Sequence, residues 1–246
     1  MARAIASIEA RMTSTRLPGK VLADIGGAPA LTRLVERLKR AERLDGMVLA
    51  TTTGADDDVL AEWADDNGIP CHRGSEDDVL GRVVEAQQTM DSTIVVEVCG
   101  DTPLLDPAVI DLALEAYEAD RGDLITTARH ASFPQGIDAE VFSLADLEEV
   151  AGSIDDPAVR EHVSLYFYDH PERYRIHDLE APAGWRAPDK RLVLDYPEDL
   201  ELIRSIYQRL EPDYGDEFNT GHILSLFNQD PALSDINRHC EERAPR

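Results

Sequence analysis

Apolar residues fall into two patterns that alternate along the chain. Short apolar runs at "RAIASIEA" (3–10), "GMVLATTT" (46–53), "STIVVEVCGD" (92–101) and "DLITTAR" (123–129) read as strands. The third is apolar on both faces, as a buried parallel strand should be. Between them the apolar spacing changes to three and four. "LTRLVERLKR" is apolar at Leu31, Leu34, Val35 and Leu38, with Pro29 near its first turn. "DDDVLAEWADDNG" predicts a helix stopped by Gly68 as its C′ residue. Ser75, with Asp78 three positions on, resembles a capping box in front of "DDVLGRVVEAQQTM". A further helix starts at Pro107, with Asp106 as a plain N-cap.

Past Arg129 the alternation weakens. "HASFPQGIDAEVF" reads as a turn and a short hairpin strand, and Ser143 caps "LADLEEVAG". Pro157 opens one helix through "AVREHVSLYFYDH", whose aromatic residues read as core packing or a subunit contact. "ERYRIHDLEA" (172–181) predicts a strand of a small inserted sheet, and "KRLVLDYPEDLELIRSIYQRL" predicts strand, turn and helix. Helices at "GHILSLFNQ" and "ALSDINRHCEE" follow. The pattern predicts an α/β sheet wrapped by helices, with a smaller α+β excursion near residues 130–190.

Charge narrows the range of partners. The 246 residues carry a formal net charge of -25, a field that repels nucleic acid and anionic membranes. Lysine occurs only at Lys20, Lys39 and Lys190, and acidic patches such as "GADDD" and "WADDN" lie on stretches that read as exposed. Together these predict a salt-adapted, halophilic protein, because molar salt cuts the Debye length to about 3 Å and mutes self-repulsion. The expected result of dialysis into dilute buffer is loss of fold or activity, read by circular dichroism and turnover; full activity there would sink the halophilic reading. No apolar run reaches membrane-spanning length, and the N-terminus lacks the zones of a signal peptide, so a cytoplasmic location is expected. Cys71, Cys99 and Cys240 are scattered, without the spacing of a disulfide framework or a zinc site.

Candidate chemistry lies where strands end. Ligands of open α/β sheets bind outside the carboxyl ends of the strands. Three loops there stand out: "EARMTSTRLPGKVL" after the first strand, Gly100-Asp101, and Asp195 closing "LVLD". A cationic loop facing two carboxylates suits a phosphate-bearing ligand with Mg²⁺. The loop is not a P-loop, since Ser14 and Val21 stand where that motif wants glycine and a hydroxyl. A plainer reading stays open for each group. Arg16 and Lys20 would simply pair with surface carboxylates, Asp195 would cap the helix after it, Asp101 would be a turn residue, and His162 a half-buried histidine.

The stretch "ARMTSTRLPGKVLADIGGAPAL" strongly resembles the opening signature of the sugar-acid cytidylyltransferases, which include the Kdo and acylneuraminate (CMP-sialic acid) synthetases. The likeness is nearest the spore-coat-polysaccharide (SpsF) branch and continues in order through "ATTTGADDDVL", "HRGSEDDVLGR", "GDTPLLDP", "PQGIDAEVF", "REHV" and "LDYPEDLELI". The resemblance implies one nucleotidyltransferase domain over residues 1–246, of glycosyltransferase-A-like (Rossmann-like) α/β fold. Its mostly parallel central sheet would be sandwiched by helices, with a small inserted α+β dimerisation subdomain near 130–190 and a homodimer. The implied reaction joins the CMP moiety of CTP to the anomeric hydroxyl of an acidic sugar and releases pyrophosphate, with Mg²⁺, in surface polysaccharide or glycan synthesis.

By position, the resemblance puts Arg11, Ser14, Arg16 and Lys20 on the nucleotide, joined less firmly by Arg73, Ser75 and Asp78. It makes Arg16, Lys20 and Asp101 the catalytic set and gives Mg²⁺ to Asp101 and Asp195. Gly136, Asp138, Glu140, Arg160 and His162 lie on the acceptor side, with Arg160 expected to meet the sugar's carboxylate. Three residues depart from the pattern: Glu9 where relatives carry a neutral residue, Thr13 in place of a smaller one, and Thr102 where fuller synthetases have an acid. Two other functions compete. One is a glycosyltransferase of related fold using a nucleotide sugar, which wants an Asp-x-Asp where "GDTP" offers one aspartate; the other is a silent nucleotide- or sugar-binding partner.

Overall fold

The computed structural model describes residues 2–130 and 132–241. The elements run β1 (Ala4–Glu9), β2 (Asp24–Ile25), β3 (Ala28–Pro29), α1 (Ala30–Leu38), β4 (Gly46–Thr52), α2 (Asp58–Asp66), β5 (Cys71–Gly74), α3 (Val79–Thr89) and β6 (Ile94–Cys99). Then come α4 (Pro107–Glu118), β7 (Leu124–Thr126), β8 (Glu140–Ser143), α5 (Leu144–Ser153), α6 (Pro157–Glu161), α7 (Leu165–Asp169), β9 (Ile176–Asp178), α8 (Pro197–Tyr214) and α9 (Thr220–Gln229).

One seven-stranded sheet, ordered β5-β4-β1-β6-β8-β7-β9, forms the centre, with β2 and β3 as a separate two-stranded hairpin. β5, β4, β1 and β6 are mutually parallel, and β8 runs against both β6 and β7. Alternate residues of β1 face opposite layers, as the strand period requires. Ala4, Ala6 and Ile8 enter the large core, together with Leu31 and Leu34 of α1 and Ile203 and Ile206 of α8. Ile5 packs with Ala86 of α3 on the other face. Beside it, Leu80 and Val83 of α3 join Phe142, Leu147 and Phe167 in a second cluster that seats α5 and α7. The fold is thus α/β with a mostly parallel sheet between two helical layers.

Five expectations need correction. The strand in "ERYRIHDLEA" does form, but at the edge of the central sheet, where β9 pairs in parallel with β7 rather than in a sheet of its own. "RLVLD" crosses the sheet's end as extended chain, with a single bridge between Gln135 and Arg191. Its backbone bonds go to loops: Leu192 N donates to Gln135 O at 2.7 Å and Leu194 N to Asp101 O at 2.8 Å. Gly136 permits that crossing. Its φ is +86°, and a Cβ there would stand 2.5 Å from Val193 N. The helix expected after Pro157 breaks into α6 and α7, because His162 takes an extended conformation. Ser75 caps nothing; Asp78 is the N-cap of α3, accepting from Gly81 N at 2.9 Å. Beyond α9 the expected helix gives a short 3-10 turn at Pro231–Asp235, and Glu242 of that stretch lies outside the described residues.

Candidate active site

The basic loop is shaped before it meets any ligand. Met12 N donates to Asp57 Oδ1 at 2.7 Å, and Gly19, at φ +71°, returns its N–H to Met12 O at 3.0 Å. This turn lifts Lys20 into a short 3-10 segment, where the lysine is buried at the carboxyl edge of the sheet. Its ammonium donates to Asp101 and, at 2.7 Å, to Asp195 Oδ1. Arg16 donates to the same Oδ1 at 2.6 Å, with its guanidinium 5.2 Å from the centre of the Tyr196 ring. The loop after β6, the segment leading into α8 and the basic loop therefore converge on one nitrogen.

Asp195 is held from behind. Arg191 Nη2 reaches its Oδ2 at 3.1 Å and is itself gripped by Asp199 at 3.0 and 3.1 Å. Asp199 is fully buried and also accepts from Asp195 N at 2.9 Å, Tyr196 N at 3.0 Å and Asn237 Nδ2 at 2.8 Å. Burial pushes the Asp195 carboxyl up, but the charge and hydrogen bond of Lys20, with Arg16 and Arg191, outweigh it and hold the group below the usual aspartate range. For Lys20 burial acts downward, and its two aspartates reverse the sign and hold it above the usual lysine value. Both shifts favour the ion pair of Lys20 with Asp195.

Two cavities meet at this cluster. The larger, about 570 Å³, is lined by Glu9, Arg11, Ser14, Arg82 and His162 and reaches Arg16, Lys20 and Asp101. The smaller, about 290 Å³, is lined by Glu97, Asp138, Glu140 and Asp195 and shares Arg16, Cys99 and Asp101 with the first. Arg11 is exposed, 3.7 Å from Glu76. Other expected site residues point elsewhere. Arg73 ties down the β4 loop through Thr52 O at 2.8 Å and Gly54 O at 2.9 Å. Arg160 spends its guanidinium on Ile154 O at 2.8 Å, Ala151 O at 2.5 Å and Asp78 at 3.2 Å. Ser75 offers a carbonyl to Arg82, and Gly136 acts by letting the backbones approach.

Sequence reasoning passed over Arg82, Glu97, Cys99, Arg191 and Asp199. A lone carboxylate inside "IVVEVC" was a signal for Glu97, whereas nothing local marked Arg191 or Asp199. Burial pushes the Glu9 carboxyl up to about 8 against the pull of Arg82, and pushes Glu97 well above its ordinary value. Cys240, expected to be isolated, lies with His239 and Glu198 so that one ligand atom of each falls within 4.8 Å of the others.

The oxygens of Asp101 and Asp195 already share one cation, and hard carboxylate oxygens at such a point fit Mg²⁺. Adjacent cations fit phosphoryl oxygens. A cytidylyltransferase family profile matches residues 5–216 of the chain. The chain belongs to the cytidylyltransferase family. This cytidylyltransferase is 36% identical to the spore coat polysaccharide biosynthesis protein SpsF of Bacillus subtilis, over 91% of this chain and 93% of that one. It is 31% identical to the 3-deoxy-manno-octulosonate cytidylyltransferase of Anaeromyxobacter dehalogenans, over 88% of this chain and 95% of that one. Among solved structures, a cytidylyltransferase from Leptospira borgpetersenii superposes with a TM-score of 0.88 at 28% identity, covering 99% of this chain and 100% of that one. The likeness is that of a nucleotidyltransferase along its whole fold.

Proposed function

We propose that this cytidylyltransferase moves CMP from CTP to a sugar hydroxyl and releases pyrophosphate, as a step in making a surface polysaccharide or glycan. One observation supports this above others: a single ammonium, on Lys20, is held by Asp101 and Asp195 where the two cavities join. The larger cavity takes the nucleotide, with Arg11 and Ser14 at its rim; the smaller takes the acceptor. Both substrates then meet at the shared wall of Arg16 and Asp101, which supplies proximity and orientation.

Positioning and charge stabilisation are most of what phosphoryl chemistry asks of a protein. Arg16 and Lys20 turn from the aspartates to the phosphoryl oxygens, leaving Asp101 and Asp195 to hold Mg²⁺. When bound, that ion supplies Lewis-acid polarisation of phosphoryl oxygen. The acceptor oxygen attacks the α-phosphorus, the bond to the β-phosphate oxygen breaks, and the acceptor's proton passes to a neighbouring carboxylate or water. Arg191 and Asp199 act through Asp195 by fixing where its oxygens stand.

Arg160, which the resemblance sets against an acidic acceptor, lines neither cavity and has its guanidinium taken by Ile154 O, Ala151 O and Asp78. A cytoplasmic homodimer belongs to the same proposal, with half-buried Leu165 and Tyr166 on α7 as its contact. A glycosyltransferase reading loses support, since Cys99 stands where an Asp-x-Asp ending at Asp101 would begin. The test is pyrophosphate release with each nucleoside triphosphate against a panel of sugars. CTP-dependent release is expected. Tight CTP binding without release from any pair would overturn the proposal in favour of a silent binding partner.

A further inference from the structure

The chain behind Asp195 carries a second group of ligating side chains. Glu198 lies in the first turn of α8, and His239 and Cys240 lie side by side near the end of the described chain. One donor atom of each falls within 4.8 Å of the others. The segment that brings them there is anchored. Buried Asn237 donates to Arg191 O at 3.1 Å and to Asp199 Oδ1 at 2.8 Å. Cys240 N turns back to Asn237 O at 2.9 Å, and Tyr196 Oη donates to Glu241 O at 3.3 Å.

An acid-rich surface does not account for this set. Among the described residues no lysine or arginine pairs with Glu198, whose ionic neighbour is His239. The adjacent Arg238 is taken by Asp235 at 2.9 Å. A thiol, an imidazole and a carboxylate suit zinc, whereas Mg²⁺ and Ca²⁺ want oxygen alone. The spacing agrees. Bonds of about 2.1 Å at the tetrahedral angle set two oxygen or nitrogen ligands of one zinc about 3.4 Å apart, and a sulfur ligand slightly farther. His239 Nε2 and Glu198 Oε1 stand 3.4 Å apart, long for a hydrogen bond but right for sharing an ion.

We infer that Glu198, His239 and Cys240 bind one zinc ion, with water as the fourth ligand, and that this ion ties the chain's last described turn to α8. The site is distinct from the one proposed for Mg²⁺ and does not depend on the transfer reaction. Cobalt(II), a coloured substitute for zinc, is titrated into the intact, reduced protein with Mg²⁺ in large excess to fill all-oxygen sites. One equivalent should bind and raise a near-ultraviolet thiolate-to-cobalt band that added zinc abolishes. Cys240→Ser should remove the band, while Cys71→Ser and Cys99→Ser should keep it. Glu198→Gln and His239→Asn should each weaken cobalt binding by about tenfold or more. Zinc at about a hundred times its Kd should raise the melting temperature by about 5 °C, and leave that of Cys240→Ser unmoved. Absence of the band, its survival in Cys240→Ser, its loss in Cys99→Ser, or an affinity untouched by both Glu198→Gln and His239→Asn would overturn the inference.

Discussion

Asp101→Asn should lower CTP-dependent turnover by about a thousandfold, the scale on which a preorganised contact to developing charge acts. The change keeps the shape of the side chain and removes its charge. Lys20 retains Asp195 at 2.7 Å, and Asp101 is only half-buried, so the fold should survive with a shift of about 1 kcal/mol or less. Steady-state pyrophosphate release and a thermal melt, run side by side, check both halves. Near wild-type turnover would remove Asp101 from the proposed metal site, and a collapsed melt would make its role structural.

Arg191→Met should act mainly on stability, by about 3 kcal/mol, because it leaves a buried Asp199 without its cation. Asp199 would keep the two backbone N–H donors and Asn237, which satisfy hydrogen bonds but bring no positive charge. Asp195 would lose one of its three cationic partners and its fixed orientation, so turnover should fall as well. Urea unfolding followed by far-UV circular dichroism reads the first effect. An unchanged midpoint would show that Arg191 and Asp199 do not fix the geometry of Asp195.

The strands at "RAIASIEA", "GMVLATTT" and "STIVVEVCGD" were legible because a buried parallel strand has nowhere to put polar side chains. "RLVLD" carries the same apolar signal, yet its burial comes from lying across the sheet's end, a difference that periodicity does not encode. The split between α6 and α7 was illegible for a related reason: His162 and Ser164 are tolerable helix residues, and packing on α3 decides where the chain turns. Proximity of Lys20 to Asp101 followed from the strand-end rule, since β6 ends two residues before that aspartate, whereas Asp195 reaches the same point from a segment that forms no strand. The grip of Asp199 and Asn237 on the chain behind Asp195 is a product of tertiary folding, and no spacing announces it.

Arg16 and Lys20 are translated early and meet Asp195 across 179 and 175 positions of chain. Closing such distant contacts is entropically slow. During synthesis the basic loop therefore stays without its aspartate until α8 and Asn237 have left the ribosome. A nascent chain stalled before that point would carry its first strands but no competent catalytic centre.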